Sequence, residues 1–454
     1  MSRNLAGVPA SSSHRPVADL SADLLGRPFC LEKRSPPPSI GRTETFAILG
    51  WAGVWRLVGW AMVWGWLGAA PANAYGQGDG EITPQSTEAL ERGLQWLARN
   101  QGPEGNWSSD DLGLVSTGVL AFLAAGHLPG RGPYGQTVQR ALDYVVRNVQ
   151  PSGLINIADQ RRDMYNHGLS AFMLGQVYGM TGDSRVGPVL DRSLKLIAYT
   201  QCWDGGWDYV ARRQQNGHDL SLAVMQALAL RSAVDSGLEV SPEVVEKAIR
   251  SVREHYTPRG VGREAPEEEQ KKHPGQFTYS KGGGNATVAM AAAGVVCLQE
   301  FGQYEDWRIP KSMEVVLRAI REECQPDRAR QSHRAPFDAY TMYYVAQALY
   351  QVGGQAWQEH YPLLRDAVVA SQIVAPDRPE DHGKWVGETR VGGKPGDLYL
   401  TSVCCFVLAI PNRYLPILQE GRIGSLQEQF GGQFNPDAAK PTPKTKRPIK
   451  PRGR

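Results

Sequence analysis

Two kinds of apolar segment alternate along residues 84–430. The first kind is one-sided. Leu90, Leu94 and Leu97 fall at i, i+4 and i+7, with Glu91, Arg92 and Arg99 on the other side. Leu190, Leu194 and Ile197 repeat that spacing. Such a pattern predicts a helix that buries one stripe and turns the other to water. The second kind is apolar nearly all round and rich in small residues: Leu112–Ala125, Leu169–Tyr178, Leu220–Leu230, Ala286–Leu298, Ala339–Leu349 and Leu398–Ile410. A helix apolar on every side must be covered on every side.

One-sided helices are expected to begin near Ala89, Val138, Leu190, Val244, Met313 and Leu363, each followed by an apolar one. No stretch sustains a two-residue alternation, so strands are not needed. Twelve such helices have a simple solution, in which the apolar six form an inner ring and the one-sided six an outer ring. The expected fold is all-α, an α/α toroid of about six helix pairs. Closure leaves no apolar end exposed, whereas an open solenoid would need polar caps.

A short turn recurs with the helices. Gln101 to Trp107 and Gln201 to Trp207 both read Gln-x-x-x-Gly-x-Trp, and Gln150-Pro151-Ser152-Gly153-Leu154 is a decayed copy between them. Gly260-Val261 and Gly383-Lys384-Trp385 are weaker copies. The glycines are expected in the left-handed conformation that ends an outer helix. The glutamines should bond freed backbone groups, and the tryptophans should pin the turn to a neighbouring helix. The longest insertions, Gly262–Gln276 and Gln325–Pro336, fall where inner helices begin. Loops gathered at one end of a rigid scaffold are where function usually sits.

Composition changes this picture only at the edges. Residues 1–45 are rich in Ser, Pro and Arg without periodicity, and residues 431–454 are Pro- and Lys/Arg-rich; both are expected to be disordered. Residues 46–74 are apolar and Trp-rich, with Arg56 before a hydrophobic run and Ala72-Asn73-Ala74 at its end. This reads as a cleaved signal peptide and predicts export; left uncleaved, it would be a membrane anchor. The net charge of +3 points to no specific nucleic-acid partner. The basic tail could lie on an anionic envelope surface. Cys30 precedes the apolar run, leaving Cys202, Cys297, Cys324, Cys404 and Cys405 with irregular spacing. These are expected to be buried thiols, with neither a disulfide framework nor a structural metal site.

The Gln-x-x-x-Gly-x-Trp turn on alternating helices resembles the repeat of squalene–hopene cyclases and of protein prenyltransferase β subunits, over about residues 84–410. Met164-Tyr165-Asn166-His167-Gly168 and Asn216-Gly217-His218-Asp219-Leu220-Ser221 look like a divergent bacterial branch of that superfamily. The resemblance implies an α/α toroid and a terpene-cyclase or prenyl-transfer type of chemistry on an isoprenoid-like lipid. The motifs that carry those chemistries are not intact. Where cyclases have Asp-x-Asp-Asp-Thr-Ala, this chain has Phe337-Asp338-Ala339-Tyr340-Thr341-Met342, acidic only at Asp338. Where prenyltransferases place zinc ligands, Tyr340 stands for the Cys and Leu400 for the His. A catalytic zinc site needs three protein ligands, so no metal and no cofactor is expected.

The polar groups at the inner-helix starts are the candidate site. Asp338, Asp219 and His167 are the candidate catalytic residues. Tyr165, His218, Asn285, Tyr340, Asp397 and Tyr399 are the candidate ligand contacts. Asp219, Asp338 and Asp397 also read as helix caps, and both histidines as hydrogen-bonded structural residues. If these groups converge, they form a polar mouth suited to an amphiphilic lipid. A non-catalytic scaffold for protein or envelope contacts is the alternative. A carbohydrate-active ring, with Asp219 and Asp338 facing across a groove, is a third reading.

Overall fold

Each apolar segment of the sequence forms a helix, and each is preceded by a one-sided one. In the computed structural model, which describes residues 80–387 and 396–419, α1 (Pro84–Asn100) leads into α2 (Leu112–Ala124), α3 (Gly135–Arg147) into α4 (Asp163–Thr181), and α5 (Val186–Thr200) into α6 (Leu220–Asp235). The fourth pair is α7 (Pro242–Arg253) and α9 (Val288–Glu300), with a short α8 (Glu267–Gln270) inserted. The fifth is α10 (Arg308–Glu323) and α12 (Ala339–Val352), with α11 (Pro326–Ser332) inserted. The sixth is α13 (Gly354–Ser371) and α14 (Gly396–Ala409).

The inner helices pack in the order α2, α4, α6, α9, α12, α14 and back to α2, so the ring closes. The fold is therefore all-α, as the pattern predicts. One expectation fails. Strands were not needed by the pattern, yet Tyr256–Pro258 (β1) and Gly275–Phe277 (β2) pair antiparallel in the fourth repeat. Three-residue strands are too short to show an alternation. Phe277 from this hairpin is buried against Gly294 of α9, whose missing side chain makes the room. Every described residue belongs to one unit, Asn73–Arg454. The expected signal segment, N-terminal extension and basic tail lie outside the described residues. Among those described, no helix is long and apolar enough to cross a membrane. Cys202, Cys297, Cys324, Cys404 and Cys405 are buried free thiols.

The recurring turn holds neighbouring pairs together, in a different way from the one expected. The outer helices end at Gln101 and Gln201 in extended backbone, not at a left-handed glycine cap. The glycines lie further on, with φ of +85° at Gly105, +89° at Gly153 and +88° at Gly205. A side chain there would be strained and would also strike the next outer helix. A Cβ on Gly105 would come within 2.6 Å of the Arg140 carbonyl oxygen, and one on Gly153 within 2.7 Å of that of Arg192. Gln101 donates to the Gly105 carbonyl at 3.1 Å and to Thr137 of α3 at 2.9 Å. Gln201 repeats this on Gly205 at 3.0 Å and Val244 of α7 at 2.9 Å. The tryptophans also reach back: Trp107 donates to Leu97 at 2.8 Å and Trp207 to Ile197 at 2.9 Å, each on its own outer helix, while the Trp107 ring lies against Gly118 of α2 as expected.

The same clamp closes the ring. Gln372 donates to Gly383 at 2.9 Å and to Ala89 of α1 at 2.8 Å, while Trp385 donates to Val368 of α13 at 2.8 Å. The last repeat thus docks on the first helix as the first and third dock on their successors. Gly260 takes no part. It belongs to the β1–β2 connection, where an added Cβ would meet only His273 and no outer helix.

Candidate functional site

Five of the nine candidate residues come together. Tyr165, His218, Asn285, Asp338 and Tyr340 line one cavity of about 800 Å³ at the end of the ring where inner helices begin. That size is within the range that holds a small ligand. The site is built by helix starts and by the loop between α5 and α6. Asp338 caps α12, accepting from Thr341 N at 3.1 Å and from its hydroxyl at 2.7 Å. Asn285 holds a left-handed backbone, φ +49°, just before Thr287 caps α9.

Asp219 caps α6 by accepting from Ser221 N at 2.9 Å, but its carboxylate is wholly buried under the cavity wall. It also accepts from the Ser221 hydroxyl, from the Tyr209 hydroxyl at 2.6 Å and from His218 Nδ1 at 3.0 Å. Tyr209 is hydrogen-bonded to Tyr279, and Tyr165 to Ser221. Burial raises the hydroxyl pKa of Tyr209 far above the ordinary range and that of Tyr279 to about 12, so both remain protonated donors near neutrality. The Tyr340 hydroxyl is buried with no partner at hydrogen-bonding geometry. A buried Asp219 does not face Asp338 across an open groove as a carbohydrate site would require.

Four candidates sit elsewhere. His167 is buried on α4, with one ring nitrogen accepting from Ile155 N at 3.2 Å and the other 3.0 Å from the Ser193 carbonyl. Burial lowers its pKa to about 4, so it is neutral. It braces the decayed second turn against α5 and does not line the cavity. Its neighbours in the same phrase are architectural too. Asn166 accepts from Gly113 N of α2 at 3.2 Å, and a Cβ on Gly168 would come within 2.7 Å of Gln226. Asp219, as described, lies behind the wall. Asp397 lies in the first turn of α14, 2.8 Å from Lys384, and lines a separate cavity with Trp96 and Trp107. Tyr399 is buried in the core.

Sequence reasoning missed the loop contributions. Arg161, Arg162, Arg212, Asp159, Asp208, Tyr209 and Tyr279 also line the cavity. Loops carry no periodicity to mark such residues. Each arginine faces a carboxylate: Arg161 with Asp159 at 3.0 Å, Arg212 with Asp208 at 3.6 Å, and Arg162 with Asp111. The three arginines are balanced in the lining by Asp159, Asp208 and Asp338. A wall so balanced suits a neutral polar group better than a strongly anionic one.

A second cavity of about 570 Å³ adjoins the first and shares Thr287, Asp338 and Thr341 with it. Its wall is mixed: Val288, Ala329, Ala335, Pro336 and Phe337, largely from the α10–α12 insertion, stand beside Glu322, Glu323, Arg328, Ser332 and Arg334. Beneath the mouth, Tyr344 of α12 reaches Met225 of α6, hydroxyl to sulfur 3.3 Å, and Tyr343 packs on Phe406 of α14.

No known family profile matches the chain, and no curated protein matches it. Among solved structures it is similar to a protein from Actinoplanes, with 14% identity, a TM-score of 0.45, and coverage of 71% of this chain and 98% of that one. It is also similar to the type II terpene cyclase MstE from Scytonema in its apo form, with 11% identity, a TM-score of 0.30, and coverage of 73% and 99%. Both likenesses are distant.

Proposed function

We propose that this toroid binds an amphiphilic, isoprenoid-like lipid across its mouth, with the polar end among Tyr165, His218, Asn285 and Tyr340 and the apolar part along Phe337. The observation that carries the reading is the pair of adjoining cavities joined at Asp338, in which Phe337, Pro336 and Ala335 offer apolar surface within reach of the polar groups of the first. An apolar chain gains by leaving water for Phe337, Pro336 and Ala335, at roughly 25 cal/mol per Å² covered. The polar end meets hydroxyl, amide and imidazole groups that fix its orientation. The repeat resemblance supports the same ligand class. The signal-like segment at residues 46–74 supports action outside the cytoplasm, with the basic tail against an anionic surface.

The test is titration of the full chain with farnesol, followed by intrinsic fluorescence. Saturable binding is expected for the wild type. Phe337→Asp should weaken it at least tenfold, about 1.4 kcal/mol, because a carboxylate would face the apolar chain. Equal affinity of the two proteins, or no saturable binding by the wild type, would reject the reading.

A further inference from the structure

We infer that His218 is a general base held by Asp219, and that the site hydrolyses an ester in the head of the bound amphiphile. The inference rests on the ligand reading above for the substrate's shape but on separate residues for its chemistry.

The geometry is that of an oriented imidazole. His218 Nδ1 lies 3.0 Å from Asp219 Oδ2, and with the carboxylate oxygen as acceptor Nδ1 is the ring's N–H donor. Nε2 is left with its lone pair. The side chain is 54% exposed and lines the cavity, and Nε2 has no partner among the described residues. The carboxylate, by contrast, is immobile, with Ser221 and Tyr209 bonded to its oxygens. The ring is also held from the side by the edge of Tyr209, centroids 4.6 Å apart.

The loop that carries the pair is braced on both sides. His218 N donates to the Trp207 carbonyl at 2.8 Å. Gly217 N donates to Asp204, which is paired with Lys281 at 2.7 Å. At Gly217 a Cβ would come within 2.6 Å of Gly206, so only glycine lets the two strands of the loop approach. Fixing a base in one tautomer and one place is what general-base catalysis requires of its surroundings.

The neighbours decide what the base acts on. Ser221 donates to Asp219 and does not line the cavity, so it is not poised as a nucleophile. Tyr209 donates its proton to Asp219. Water is left as the attacking group. His218 Nε2 takes a proton from water as its oxygen bonds to the ester carbonyl carbon, and the carbonyl π pair moves to oxygen. The exposed Asn285 amide, which has no partner among the described residues, supplies donors for that oxygen. Collapse re-forms the carbonyl and breaks the bond to the alcohol oxygen. The imidazolium returns its proton there. Water and ester become acid and alcohol, and His218 ends neutral. An imidazole is a base of the right strength for water attacking an already electrophilic carbonyl, and needs no further reactant.

The experiment measures release of p-nitrophenol from p-nitrophenyl butyrate and decanoate by the full chain. The wild type should turn over, favouring decanoate. His218→Gln, at a half-exposed position, should fold normally and lose at least about 100-fold in kcat. His218→Ala should regain part of the rate when imidazole is added, beyond the rate of imidazole alone and of imidazole with His218→Gln, whose side chain still fills the site. Asp219→Asn should lower kcat at least about tenfold with KM held, if it positions the base. Wild-type turnover no faster than His218→Gln, or no imidazole rescue, overturns the inference while leaving farnesol binding to stand. Turnover without farnesol binding supports the base and rejects the lipid reading.

Discussion

Trp385→Ala is expected to lower the unfolding free energy by about 3–5 kcal/mol, measured by chemical denaturation. The side chain is fully buried at the place where the last helix pair meets the first. It lies against Gly93 of α1, where an added Cβ would come within 2.7 Å of its ring, and its indole N–H holds the Val368 carbonyl. Truncation therefore leaves a cavity and an unpaired carbonyl at the seam. Opening the joint exposes the apolar faces on both of its sides, neither of which carries a polar cap. A loss below about 1 kcal/mol would mean the seam is not what holds the ring shut.

Arg231→Met should cost a similar amount, about 3–5 kcal/mol. Arg231 and Asp235 form a buried pair on α6, 3.0 Å apart, at the end of the ring opposite the mouth. Glu300 on α9 is buried beside them and accepts from Gln351 on α12. One cation thus serves two carboxyl groups across three successive inner helices. Burial, opposed by Arg231 and reinforced by Asp235, raises the Glu300 pKa to about 8. The pair is balanced because Glu300 keeps its proton. Without Arg231 the buried Asp235 carboxylate loses its cation on α6, and that loss, not the pair's net worth, sets the magnitude.

The same group gives stability a pH dependence. Folded Glu300 holds a proton that the unfolded chain gives up near its usual 4.5, so stability falls as pH rises from about 4.5 to about 8. Burial lowers the pKa values of His167 and His255 to about 4. The unfolded chain binds those protons near 6.5, so stability is lost as pH falls from about 6.5 to about 4. The most stable pH should lie near ~6–6.5. Glu300→Gln should flatten the alkaline side and steepen the acid side above about 4.5, where the Glu300 slope opposes that of the histidines. An unaltered alkaline slope would show that another group sets it.

The helix pairs were legible because inner helices are apolar on every face, a pattern that few folds can satisfy. The clamp was legible where its spacing was kept, at Gln101 and Gln201. At the seam Gly383-Lys384-Trp385 was legible as a weaker copy but its glutamine was not, because ten residues separate Gln372 from Gly383 in place of three. His167 and His218 could not be told apart by type or phrase. Both stand beside an inner-helix start, but one points into a helix interface and the other into the cavity. Asp219 kept its place as cap while its role moved from open site to buried support. Tyr209 and Tyr279 left no mark in the sequence, because loop residues acquire their neighbours only when the ring closes.

Mass spectrometry of lipid extracts from the purified full chain tests the ligand-holding mouth most directly. The two-cavity account predicts one enriched class of amphiphile, retained by the wild type and depleted in Phe337→Asp. An extract with no enriched amphiphile, or with equal amounts from both proteins, would contradict it.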